Sequence, residues 1–151
     1  MKNIMFICTG NICRSAMAEW ELKNKVEELK KDIKVYSCGV YAENGQAATN
    51  EAIKAMEEYG VDLKKHKSTN IKNSKINDMD LILCATFSHK INVIYMYPDL
   101  KQKIYTLKEY VEYSKDESNL DIKDPYGFDI ETYRNCAKEI IECINLLIGR
   151  I

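Results

Sequence analysis

Long apolar stretches are missing from this chain: no unbroken run exceeds five residues, the length reached at 4–8 and 81–85. A membrane-spanning helix needs about 20 such residues, and the apolar part of a secretion signal roughly 7–15. Neither is expected, and the chain reads as a soluble, cytoplasmic protein. Excess charge is missing too. Lys plus Arg number 22 against 23 Asp plus Glu, a net charge of −1, which leaves no basic surface for nucleic acid or an anionic membrane. The six cysteines contain no C-x2-C pair, and only His66 and His89 could join them as ligands. That excludes zinc knuckles, so no metal or other cofactor is expected, and without a secretion signal a disulfide scaffold is equally out of place. Most of the cysteines are expected to be small buried hydrophobes. Arginine is scarce, with only Arg14, Arg134 and Arg150 among the 22 basic residues. One of these three stands six residues after Cys8 and directly before Ser15.

What is present is ordinary globular composition: 151 residues, 46% hydrophobic and 30% charged. That suits one domain with a self-sufficient core, assigned to residues 1–151 and expected to act as a monomer. Residues 3–8 (N-I-M-F-I-C) form the continuous apolar run of a strand buried on both faces of a parallel sheet. Thr9, Gly10 and Asn11 make a turn cluster. Ser15 is placed to cap a helix in which Ala18, Leu22, Val26 and Leu29 recur at helical spacing. Further strands are expected at 35–40, 80–85 and 103–107. Helices are expected at 50–59, with Ala52, Ile53, Met56 and Tyr59 inward and Gly60 as terminator, and at 88–97, ended by Pro98. A polar loop follows at 114–121. The last helix spans 130–148, with Tyr133, Ala137, Ile140, Ile144 and Leu147 on one face. Strands alternating with helices predict a single-domain α/β fold, a four-stranded parallel sheet with helices on both faces.

In such sheets ligands bind beyond the carboxyl ends of the strands, near the switch in strand order. Residues 8–15, C-T-G-N-I-C-R-S, fall there and run into a helix N-terminus, so they read as a phosphate-binding loop after the first strand. Backbone N–H groups of Thr9, Gly10, Asn11, Ile12, Cys13, Arg14 and Ser15 can curl around one oxyanion, helped by the helix dipole. Gly10 permits close backbone approach, and the planar fork of Arg14 grips two phosphate oxygens. No G-x4-G-K-[ST] is present, so this is not a nucleotide cradle. Cys8 would lie at the floor of the loop. The helix N-terminus and the arginine favour its thiolate, and Ser15 can donate to the sulfur. A thiolate beneath a phosphate is placed for in-line attack through a cysteinyl-phosphate. Asp124, in D-P-Y-G, is the candidate acid for the leaving oxygen and then the base for water. The same tetrapeptide is a favoured type I turn, so taken alone Asp124 reads as a turn residue.

These motifs resemble the low-molecular-weight protein tyrosine phosphatases over nearly the whole chain: C-T-G-N-I-C-R-S-A-M-A-E, S-C-G-V, H-K-S at 66, D-L-I-L and D-P-Y-G. The resemblance implies a metal-independent phosphomonoesterase acting on phosphorylated protein and releasing inorganic phosphate. Cys8 would be the nucleophile, Arg14 the phosphate clamp, Ser15 the thiolate stabiliser and Asp124 the general acid. The resemblance also implies that Asn11, Ser37 and His66 hold the loop in shape, and that Cys13 can trap an oxidised nucleophile as a reversible disulfide. Tyr126 would be the aromatic rim and Tyr41 the opposite wall. Without the resemblance, His66 reads as a surface or capping histidine, Cys13 as a small core residue, and both tyrosines as surface residues among the chain's ten.

Three positions depart from the family pattern. Ala16 replaces the proline that commonly follows the loop serine, Thr86 stands where many members carry aspartate, and Gly127 stands where some carry a second tyrosine. The last two, with V-Y-A-E-N-G-Q-A-A-T and T-L-K-E-Y-V, resemble the branch that acts on phosphoarginine. That branch carries threonine where this chain has Ile12. A threonine hydroxyl could position attack on a P–N bond, whereas isoleucine packs against an aromatic ring. Because this residue touches substrate, phosphotyrosine is the expected substrate and phosphoarginine the alternative. Arsenate reductases share the first loop and need relay cysteines. Cys84 lies at about the right place for one, but Ile91 and Val93 occupy the stretch where a second would stand. A phosphocarrier would not need Asp124, and a redox module built on Cys8 and Cys13 would not need Arg14.

Overall fold

The computed structural model describes residues 2–113 and 118–151. Residues 114–117 of the expected polar loop lie outside that range. Strand β1 (Lys2–Cys8) is central, with β2 (Ile33–Gly39) on one side and β3 (Leu81–Cys84) on the other. β4 (Ile104–Thr106) pairs with β3, giving the order β2-β1-β3-β4 with all pairings parallel. The apolar run of β1 is explained by this position. Ile4 and Phe6 enter one core with Leu22 and Ile140, while Met5 and Ile7 enter a second with Val93 on the opposite face. Each such side chain, fully buried, contributes roughly 1.5–3 kcal/mol.

The larger core lies under α1 (Arg14–Glu28), α2 (Asn50–Glu57), α4 (Leu107–Val111) and α5 (Ile130–Ile148), and the smaller one under α3 (Phe87–Met96). Helix α5 has the expected bounds, and its five inward residues are all buried. Its cap is Asp129, which accepts from Thr132 N at 3.0 Å. All six cysteines are free and buried.

Several local expectations need correction. Leu29 is not on the buried face of α1; it is the C-cap and half exposed. Helix α2 stops at Glu57, so Tyr59 lies past its end and is exposed, while Ala55 takes the inward position. Gly60, at φ 74°, still marks the turn that follows. Residue 107 begins α4 rather than ending β4. Thr106 and Glu109 form a reciprocal capping box there, two short-range bonds that the expected strand at 103–107 overlooks. Ser15 is not an N-cap. Cys13 holds that position without a side-chain cap bond, and Ser15, already inside the helix, turns its hydroxyl to Cys8 Sγ and Asn11 Nδ2.

Candidate active site

The loop after β1 leaves the sheet where the chain has neighbours on both sides, and backbone bonds from the end of β2 hold it there. Val40 N donates to Cys8 O and Tyr41 N to Thr9 O, each at 3.0 Å. Gly39, which ends β2, makes this approach possible. A Cβ there would overlap Thr9 O and stand 2.9 Å from Asn11 N. The tight position is therefore Gly39, not Gly10, where a Cβ would make only ordinary contact with Ile12 at 3.6 Å.

Asn11 gives the loop its curvature. It adopts φ 58°, a left-handed conformation that asparagine tolerates better than most residues, and it is 0% exposed. Its Oδ1 accepts from Thr69 N at 2.9 Å, and its Nδ2 donates to Ser37 Oγ at 2.7 Å and Ser15 Oγ at 2.8 Å. Ser37 in turn donates to the Glu19 carboxylate, which pairs with Lys23 at 2.6 Å. The donors and acceptors allow one ordering. A carboxylate can only accept, so the Ser37 oxygen is free to accept from Asn11. The second Asn11 N–H occupies the Ser15 oxygen. The Ser15 proton is left for Cys8 Sγ, 2.9 Å away.

A second support reaches the Asn11 carbonyl. His66 Nε2 lies 2.6 Å from Asn11 O, and Trp20 Nε1 donates to His66 Nδ1 at 3.0 Å. An indole N–H is a donor only, so Nδ1 accepts and the ring proton sits on Nε2, aimed at Asn11 O. Burial pushes the His66 imidazole below its ordinary value, in keeping with a neutral ring although Glu19 Oε1 stands 3.7 Å from Nδ1.

Over the loop opens a pocket of about 250 Å3 lined by Cys8, Thr9, Gly10, Ile12, Cys13, Arg14, Asp124 and Tyr126. Arg14 is buried. Nη1 donates to Ile122 O at 3.0 Å, and Nη2 faces Thr9 Oγ1 at 3.5 Å and Asp124 Oδ2 at 3.6 Å. The guanidinium thus joins the phosphate loop to the segment that carries the acid. Asp124 is half exposed, and its Oδ1 accepts from Tyr126 N at 3.1 Å. It is a turn residue and a pocket residue at once. Cys13 faces Tyr133 OH at 3.4 Å and Thr49 Oγ1 at 3.6 Å, and burial pushes its thiol up. Among the described residues no set of three His, Cys, Asp or Glu side chains is arranged to hold a metal ion.

The family model for low molecular weight phosphotyrosine protein phosphatases matches residues 3–151. The chain belongs to that family. It is 35% identical over 148 residues to a protein-arginine-phosphatase of Geobacillus stearothermophilus, an alignment that covers 98% of this chain and 95% of that one. It is 33% identical over 150 residues to the low molecular weight protein-tyrosine-phosphatase PtpB of Staphylococcus haemolyticus, covering 98% and 96%. The crystal structure of a low molecular weight protein tyrosine phosphatase from T. tengcongensis superposes with a TM-score of 0.91 at 36% identity, covering all of both chains.

As a member of this family the chain is a cysteine-dependent phosphatase, and the relatives named above are arginine and tyrosine phosphatases. Cys84, the residue weighed for that reading, lies fully buried in β3, and burial pushes its thiol up. One position differs from what the family resemblance implied. Tyr41 is 75% exposed and does not line the pocket; its contribution is the backbone clamp on Thr9 O. The side chains of Asn11 and Ser15 turn beneath the loop rather than into the pocket. The sequence reading missed Gly39, Glu19, Trp20 and His89. Of these Gly39 and Glu19 carried a signal, as parts of S-C-G-V and of C-T-G-N-I-C-R-S-A-M-A-E, while Trp20 and His89 meet partners distant in sequence.

Proposed function

We propose that the protein hydrolyses phosphotyrosine in phosphorylated proteins. The observation that carries this reading is Ile12, whose side chain lines the pocket together with Tyr126. An aliphatic wall and an aromatic rim suit a phenyl ring, which gains most from burial against carbon. In the first step the Cys8 sulfur attacks phosphorus and an S–P bond forms. The P–O bond to the tyrosyl oxygen breaks, and Asp124 gives that oxygen its proton. Arg14 and the loop N–H groups hold the three non-bridging oxygens as charge builds on them. In the second step Asp124 takes a proton from water, the water oxygen attacks phosphorus, and the S–P bond breaks to release inorganic phosphate and the thiolate. The neutral His66 and the Glu19–Ser37–Asn11–Ser15 chain keep the loop in its working shape, with the Ser15 proton directed at sulfur in both steps. The whole of residues 1–151 acts as one domain, as a cytoplasmic monomer, with no metal or other cofactor and no nucleic-acid or membrane partner.

The second reading is protein phosphoarginine hydrolysis, favoured by the name of the Geobacillus relative. In that case Asp124 would protonate the guanidino nitrogen. Matched phosphotyrosine and phosphoarginine peptides, hydrolysed by reduced, metal-free protein beside Ile12→Thr, separate the two. Preference for phosphotyrosine that shifts toward phosphoarginine in the variant supports the first reading. Preference for phosphoarginine with Ile12 in place overturns it.

A further inference from the structure

One short stretch, residues 85–89, is bonded to both halves of the site. Ile122 N donates to Ala85 O at 2.9 Å, and Phe87 N donates to Asp121 Oδ1 at 2.7 Å. The end of β3 and the start of α3 thereby hold the segment that leads into Asp124. From the same turn His89 reaches the phosphate loop, its Nε2 lying 2.8 Å from Thr9 Oγ1. The other ring nitrogen lies 2.9 Å from Thr86 Oγ1, which also caps α3 by accepting from His89 N at 3.0 Å. Thr9 Oγ1 faces Arg14 Nη2, and Ile122 O accepts from Arg14 Nη1. The guanidinium is therefore held from one side by Thr9 and from the other by Ile122, and both are anchored on residues 85–89.

We propose that His89 is a positioning residue of this active site: by fixing the Thr9 hydroxyl it sets the Arg14 guanidinium against the bound phosphate and in register with Asp124. The proposal rests on the phosphatase reading of the site. His89 is 8% exposed and does not line the pocket, so it acts through Thr9 and not on substrate. Its burial first, and the nearby Arg14 charge second, push the imidazole down to about 4, so the ring is neutral under ordinary conditions. A neutral imidazole has one donor and one acceptor, and a threonine hydroxyl on each side can match either. This also gives Thr86 a purpose. A hydroxyl there caps the helix and orients the ring, two tasks met by one side chain.

The test compares His89→Leu, which keeps bulk without hydrogen bonding, with His89→Gln, whose amide reaches toward the Nε2 position. Two quantities are read: turnover of an aryl phosphate, and the dissociation constant of inorganic phosphate by calorimetry. Loss of one neutral hydrogen bond corresponds to roughly 3–10-fold. His89→Leu is expected to raise KM and the phosphate dissociation constant together by about that factor and to lower kcat, and His89→Gln to recover most of the loss. Thr9→Val should cost a similar factor, with His89→Leu adding little in that background. A folded His89→Leu protein with unchanged phosphate binding overturns the proposal. So does a Gln variant as weak as Leu, or losses that multiply in the double variant. If His89→Leu does not fold, Thr9→Val against Thr9→Ser reads the same bond from its other end. A loss in Val that Ser escapes supports the proposal, and equal behaviour overturns it. A wild-type protein that binds phosphate without turning over any phosphate ester would instead sink the phosphatase reading.

Discussion

Trp20 and His66 meet edge to face, with ring centroids 6.5 Å apart, planes at 88° and the indole N–H aimed at Nδ1 from 3.0 Å. This contact leaves the ring proton on Nε2, 2.6 Å from the Asn11 carbonyl that the loop must hold in place. The sole tryptophan of the chain and the Asn11 carbonyl therefore fix one tautomer together at the edge of the active site. Trp20→Phe keeps most of the apolar contact and removes the donor. Expected are a stability loss of about 1 kcal/mol in denaturant and a shift of the His66 Nδ1 resonance, which loses its donor while the Asn11 carbonyl keeps the proton on Nε2. An unchanged Nδ1 resonance would show that the indole does not donate there.

The nucleophile and the acid are separable by chemistry. Cys8→Ser should abolish turnover while leaving the thermal transition close to wild type; measurable turnover at that position removes Cys8 from its role. Asp124→Asn should slow substrates with poor leaving groups far more than those whose leaving oxygen needs no proton. A uniform loss across a series of aryl phosphates would argue that Asp124 acts only on Arg14, which it faces at 3.6 Å.

Gly39 should tolerate no side chain. In Gly39→Ala the new methyl meets Thr9 O and Asn11 N, and the cheapest relief is a shift of the loop. A displacement near 1 Å costs on the order of 10²-fold in rate, so kcat/KM should fall by about that much. Gly10→Ala, with only ordinary contact to Ile12, leaves the loop backbone free of such a clash. A wild-type rate in Gly39→Ala would mean that the loop yields there without consequence.

Acid should loosen the fold through the histidines. His89 is pushed down to about 4 in the folded chain from an ordinary value of 6.5, and His66 is pushed in the same direction. Between those two values the unfolded chain binds the His89 proton and the folded chain does not, so stability rises with pH across the window. It is fully present above about 6.5 and is lost toward pH 4, at up to about 1.4 kcal/mol per unit for His89. Glu21, whose carboxyl burial pushes up, works in the opposite sense. The quantity to compare is therefore wild type against His89→Gln in denaturant at pH 7, 5.5 and 4.5 (values set by the window). The variant should lose less stability on acidification, and parallel slopes would contradict the assignment.

The features legible in the order of residues lie within single elements. The apolar run of β1 reads as a strand covered on both faces because each successive side chain must find carbon. The i, i+4, i+7 recurrence from Tyr133 to Leu147 places α5 because a helix turns at a fixed rate. The loop from Cys8 to Ser15 is legible because its chemistry is packed into eight consecutive residues. The rest follows from contacts that close over long stretches of chain. Trp20 meets His66 across 46 residues and Thr9 meets His89 across 80. Neither pairing leaves a trace in local periodicity, because a parallel sheet brings strand ends together only after its helical crossovers are in place. Helix α4, five residues long, is too short to show a period, and Tyr41 could be read as a wall until the strand it follows showed which way its side chain faces. The two histidines were unremarkable as letters. Their roles follow from the burial that keeps them neutral and the single donor or acceptor each neighbour can offer.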